Sequence, residues 1–133
     1  MYRKTYAGFI LWLIVFLLAL LAVCFLPVQD EAVLMRLITN LCPLAMAQLT
    51  WWIWRTERVY WYTGVTFEQA EKAGSKRRKA YAFRYFRLFG GYALVALAVS
   101  MAAYLARLPW WVDFSIVTVG IIAAALRTMA YQL

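Results

Sequence analysis

The sequence predicts an all-α fold, a polytopic membrane helical bundle of four transmembrane helices with a basic cytoplasmic loop helix between helices two and three. Three observations predict it. Of the 133 residues, 66% are hydrophobic and 15% charged, against about 45–50% apolar residues in a soluble domain. A water-soluble chain this short has too much surface for its volume to hide so many apolar side chains. The apolar residues also gather into four stretches, about 6–26, 32–54, 88–106 and 110–131. Each is close to the length that a hydrocarbon core about 30 Å thick requires of a helix. Finally, the net charge is +8, yet nine of the 14 Lys and Arg fall between Arg55 and Arg87. That clustering between apolar stretches marks one membrane face. Residues 1–133 therefore read as a single integral membrane domain.

The first stretch, Tyr6–Leu26, holds no charge and is rich in Leu, Ile, Val and Phe. Arg3 and Lys4 precede it as they would in a signal peptide. The run exceeds an h-region of about 7–15 residues, however, and Val23-Cys24-Phe25 is no small-residue cleavage site, so a retained helix is expected. Pro27 ends it. Val28-Gln29-Asp30-Glu31 forms an acidic turn whose carboxylates suit the positive end of the next helix.

The second stretch, Ala32–Trp54, carries Arg36, Asn40, Pro43, Gln48 and Thr50 but no charge between Arg36 and Arg55. Pro43 removes a backbone donor and is expected to kink the helix, which membrane helices tolerate when neighbours satisfy the freed carbonyl. Trp51-Trp52-Ile53-Trp54 marks a headgroup boundary. In the basic region that follows, Thr66-Phe67-Glu68-Gln69 fits a capping box and starts a short helix. Gly74-Ser75 stops or bends it. Beyond Lys76-Arg77-Arg78-Lys79, bases alternate with Tyr81, Phe83, Tyr85 and Phe86, the pattern of a helix rising through headgroups into the third span. Arg107-Leu108-Pro109 closes that span, and Trp110 and Trp111 open the fourth, which ends after Arg127.

Topology follows from charge. With Arg3, Lys4, the Arg55–Arg87 region and Arg127 on one side, only Arg36 and Arg107 remain near the other. The positive-inside rule then places the rich side and both termini in the cytoplasm. Cys24 and Cys42 differ in depth by about 10 Å, beyond the Cα reach of a disulfide. They read as small apolar packing residues.

Two helix faces draw attention. Arg36, Asn40, Pro43, Ala47 and Thr50 share one face of the second span, and Asp113, Val117, Gly120, Ala124 and Arg127 share one face of the fourth. The two helices run the same way, with Arg36 and Asp113 each about 5 Å inside the outer boundary. Ionisable groups within a span are a functional hypothesis by default, whereas near a helix end they also snorkel to water. A structural pair and a ligand or ion site are both open. Asn40 and Gln48 are candidate interhelical hydrogen-bond partners, worth about 0.6 kcal/mol each. Ala98-xxx-Ala102 and Gly120-xxx-Ala124 allow close helix approach, within one chain or between copies. Lys76, Arg77, Arg78, Lys79, Arg84 and Arg87 form a surface for anionic headgroups, at about 1 kcal/mol per base. The same bases also read as a topology determinant or a partner's docking surface. Flanking spans argue against nucleic acid as their target.

Catalytic equipment is sparse. The chain has no His, which removes the commonest general base and the usual triads. CxxC, a Gly-rich phosphate loop and a close carboxylate pair in the apolar stretches are absent from the sequence too. No enzyme, metal or cofactor is expected.

The run Thr63-Gly64-Val65-Thr66-Phe67-Glu68-Gln69-Ala70-Glu71-Lys72-Ala73, continuing through Lys76–Lys79 to Arg84–Gly91, resembles small bacterial membrane proteins of the SdpI-like kind. The shared pattern is a glycine after a span, a short acidic-to-basic helix, and a basic-aromatic approach to a Gly-containing span. It covers about a quarter of the chain. No Arg closely follows Gly64, and Lys79-Ala80-Tyr81 stands in place of an aromatic-His element. The resemblance implies a bacterial inner-membrane protein of a kind linked to immunity against membrane-active peptide toxins, and it transfers no functional residue.

The function expected is that of a non-enzymatic bundle acting through contacts with another membrane component, as an immunity, accessory or assembly subunit. Lipids and a protein partner or a second copy are its expected contacts. One alternative is a homo-oligomeric channel or small transporter using the Arg36/Asn40 and Asp113 faces. The other is a membrane enzyme or lipid-binding protein.

Overall fold

In the computed structural model, residues 2–27, 29–62 and 64–133 are described. Val28 of the acidic turn and Thr63 at the start of the family-like run lie outside them. The described residues form α1 (Ala7–Cys24), α2 (Glu31–Thr56), α3 (Phe67–Leu105) and α4 (Trp110–Thr128), with a 3₁₀ turn at Val59–Trp61. All four α-helices are long and apolar enough to cross a membrane, and no strand occurs among the described residues.

Local signals explain where the helices start and stop. Asp30 caps α2 by accepting from the Ala32 amide at 3.0 Å. Thr66 and Gln69 close a reciprocal capping box at the start of α3, satisfying two of the orphan amides of a first turn. Gly74, at φ 80°, interrupts the helix, which then resumes. The non-helical backbone of Gly74 thus separates a short loop helix from the spanning helix, at the break that Gly74-Ser75 predicts, and α3 names the two together. Nothing after Ser75 breaks the ladder, so the basic stretch is simply the first half of the spanning helix. Pro43 lies inside α2, which passes through it as one helix. At the far end of α3, Arg107 adopts φ 56°. The Leu108 amide bonds Ala103 O and the Arg107 amide bonds Tyr104 O, a Schellman stop that leaves Pro109 to begin α4.

The helices α2 and α3 form the central pair, with α4 against both and α1 against α2. Near the basic end the core packs the aromatic rings of Tyr60, Tyr81, Tyr85 and Phe89 with Ile53 and Val59. α1 buries only Trp12. Its start is strapped down instead. The Tyr60 hydroxyl bonds the Thr5 amide and carbonyl, each at 2.8 Å, and Trp61 Nε1 donates to Thr5 O at 2.9 Å. Gly8 allows this approach, since a Cβ there would stand 2.9 Å from the Trp61 ring.

Several predicted packing residues lie elsewhere. Cys24 and Cys42 are unbonded and exposed on the apolar exterior, so neither fills the interior. Ala98 and Ala102 also face outward, and α3 packs through Ala93, Ala96, Ser100 and Ala103. Ser100 is two residues from each of those outward alanines, about 200° around a helix. Gly120 lies against the Tyr92 ring and Ala124 is buried. Gln48 is exposed.

Candidate functional site

Arg36 lies in the second turn of α2 and Asp113 in the first turn of α4, so the N-terminal ends of these helices meet side by side. Arg36 Nε stands 3.3 Å from Asp113 Oδ2, and the Asp113 side chain is fully buried. Arg36 Nη2 donates to Leu108 O, in the α3–α4 connection, at 2.5 Å. The α3 helix enters through Ser100, whose hydroxyl donates to Asp113 Oδ2 at 3.0 Å. Asn40 Nδ2 donates to Ser100 Oγ and to Arg36 O, both at 2.8 Å. Three helices thus converge on one charge-neutral cluster, and a first-turn carboxylate also favours the α4 dipole.

Ser100 is not among the residues the sequence singles out. It is the one serine in the third apolar stretch, a signal visible once a polar partner for Asn40 is sought. Three buried atoms of the cluster, Arg36 Nε, Asp113 Oδ1 and Asn40 Oδ1, have no hydrogen-bond partner among the described residues. Arg36, Asn40 and Ser100 also border a cleft of about 500 Å³ whose walls are apolar, with Val23 and Leu26 from the end of α1 facing Leu37, Leu97 and Met101. Chemically the cluster is a clamp, with one cation, one anion and two neutral groups between them. Taking one member of such a pair away leaves a buried charge, at a cost of about 3–5 kcal/mol.

A second arginine–carboxylate cluster occupies the basic end. Glu57 follows α2 in the left-handed region at φ 60°. Its Oε2 accepts from Arg78 Nε at 3.2 Å and Nη2 at 3.0 Å, while Oε1 accepts from Ser75 at 2.7 Å and lies 3.6 Å from Lys79 Nζ. Arg78 Nη1 also caps Ala70 O at 3.0 Å, and the guanidinium lies 4.0 Å from the centre of the Tyr2 ring. Tyr2 in turn donates to Glu57 O at 2.6 Å. Burial raises the Glu57 pKa, but bonds from Ser75 and Arg78 and the charges of Arg78 and Lys79 outweigh it and hold the carboxyl below its ordinary range. Burial pushes the Tyr2 phenol up to about 12, against the opposing charge of Arg78.

Arg78 is therefore buried and does not belong to the headgroup surface on which the sequence places it. Its neighbours in the run resemble it, but among them Lys79 reaches Glu57 alone and position 78 meets both Glu57 and Tyr2. Lys76, Arg77, Lys79, Arg84 and Arg87 are exposed. No cluster of three metal-ligating side chains occurs among the described residues. No family model, no curated protein and no solved structure matches the chain.

Proposed function

We propose that this protein is a non-enzymatic membrane bundle that works by holding another membrane component against its apolar exterior, as an immunity, accessory or assembly subunit. The observation that carries this reading is the cleft between α1 and the α2–α3 pair, apolar in its walls and bordered by a polar cluster whose groups mostly bond one another. A clamp of that kind fixes helices in place and leaves the exterior free to bind. A conducting path would need those polar groups turned toward water, and Arg36 and Ser100 are instead spent on Leu108 and Asp113.

Orientation follows from charge. Twelve of the 14 Lys and Arg lie at the end shared by both termini, and the positive-inside rule favours the cytoplasm for that end. The family-like run 63–91 fits the same setting. Gentle detergent extraction with a photo-crosslinker at Leu97, in the cleft, is expected to capture a stoichiometric partner that a probe at Val119 on α4 does not. Pure protein that carries ions or solutes across liposomes, with flux lost in Asp113→Asn, would replace this reading with the channel. Reporters fused to the two ends should both read cytoplasm.

A further inference from the structure

The fold brings together three arginines that the sequence keeps apart. Arg84 and Arg87 are three residues apart on α3 and so share a face, while Arg127 lies in the last turn of α4. All three line one cavity of about 480 Å³ together with Phe83, Leu88 and Tyr131. Among the described residues no carboxylate borders it and none of the three has an ion-pair partner. Glu57, the acid of the α2–α3 connection, is already taken by Arg78 and Lys79. Arg127 also suits the negative end of the α4 dipole, which accounts for one arginine and not for the convergence of three.

Like charges around one cavity repel unless an anion enters. Guanidinium forks match phosphate oxygens in pairs. The cavity's position identifies the source of the phosphate. Phe83 and Leu88 give it an apolar edge, and Trp54 lies against Phe83 and Phe86, with ring centres 5.5 and 5.8 Å away. Aromatic side chains grouped at the end of a span mark headgroup depth, and basic pockets between spanning helices at that depth suit lipid phosphates. We propose that Arg84, Arg87 and Arg127 bind the phosphate of an anionic phospholipid, whose chains leave along Phe83 and Leu88. The inference rests on membrane embedding and is independent of what occupies the cleft.

The test uses the full chain in detergent micelles, first shown to be helical and monodisperse. A chain soluble without detergent would overturn the embedding itself and is distinguishable from a lost lipid preference. Phosphatidylglycerol and phosphatidylcholine are added, and the bound lipid is counted by native mass spectrometry. Wild type is expected to prefer phosphatidylglycerol. Removing three surface bases costs roughly a factor of five each, so Arg84→Gln/Arg87→Gln/Arg127→Gln should reduce that preference about a hundredfold. The control Arg3→Gln/Lys4→Gln/Lys72→Gln removes the same charge from exposed positions outside the cavity and should retain most of it. Arg127→Gln alone, expected to lose about fivefold, keeps the test decisive if the triple variant does not fold. Equal losses in both triple variants, no lipid preference in wild type, or competition by water-soluble glycerol phosphate as strong as by the lipid would each overturn the proposal.

Discussion

The two arginine–carboxylate clusters use the same chemistry at opposite ends of the bundle with different results. Asp113 is fully buried among apolar helices and keeps one oxygen unpartnered. Glu57 is about a fifth exposed, and both its oxygens are occupied. The first pair sets how α2, α3 and α4 meet where no water can replace a lost partner. The second ties the N-terminus, the α2–α3 connection and the bend in α3 together where water can. A similar arginine–carboxylate pair is thus costly to break in one place and cheaper in the other, because the burial of the carboxylate differs.

The sharpest way to break the comparison is Asp113→Asn, which strands the Arg36 charge. A loss of about 3–5 kcal/mol is expected in thermal or denaturant unfolding in detergent. Replacing both partners, Arg36→Met with Asp113→Leu, should recover most of it, since a buried pair is often dispensable when removed whole. Failure of the double variant to recover would mean that the pair does more than hold helices.

At the basic end, Glu57→Gln removes charge-assisted bonds that water partly replaces, so a smaller loss of about 1.5–3 kcal/mol is expected. The two ends should also part company with pH. Because the Glu57 carboxyl is held below its ordinary value of 4.5, its contribution is complete above that value and is lost as pH falls through the lower, folded value. The difference in melting temperature between wild type and Glu57→Gln should therefore be constant near neutrality and vanish in acid. Smallest of all, Ser100→Ala removes one link between Asn40 and Asp113 and should cost about 0.6–1.7 kcal/mol, the range of single hydrogen bonds between membrane helices.

The sequence resolves depth better than direction. Helical rise alone places Arg36 and Asp113 at one level on parallel helices, and the structure joins them. Thr66 with Gln69, and Gly74, likewise act through local backbone chemistry that a short window contains. Rotation about the helix axis is harder, because a helix that meets hydrocarbon on one side and protein on the other is apolar all round. Ala98 and Ala102 are therefore indistinguishable in sequence from Ala96 and Ala103, although the two sets face opposite ways. Arg78 is hidden for another reason. Its burial depends on Glu57 and Tyr2, which reach it from other parts of the chain, and nothing in a run of four bases singles it out. The meeting of Arg127 with Arg84 and Arg87 likewise requires α3 and α4 to be packed before it can be seen.

Arg36 fastens α2 to a main-chain oxygen, that of Leu108. Every residue type supplies that atom, so position 108 can be rewritten without loosening the latch, proline excepted because the Leu108 amide closes the end of α3. Deleting a single residue from the short connector would swing the acceptor away, making this corner tolerant of spelling and intolerant of length.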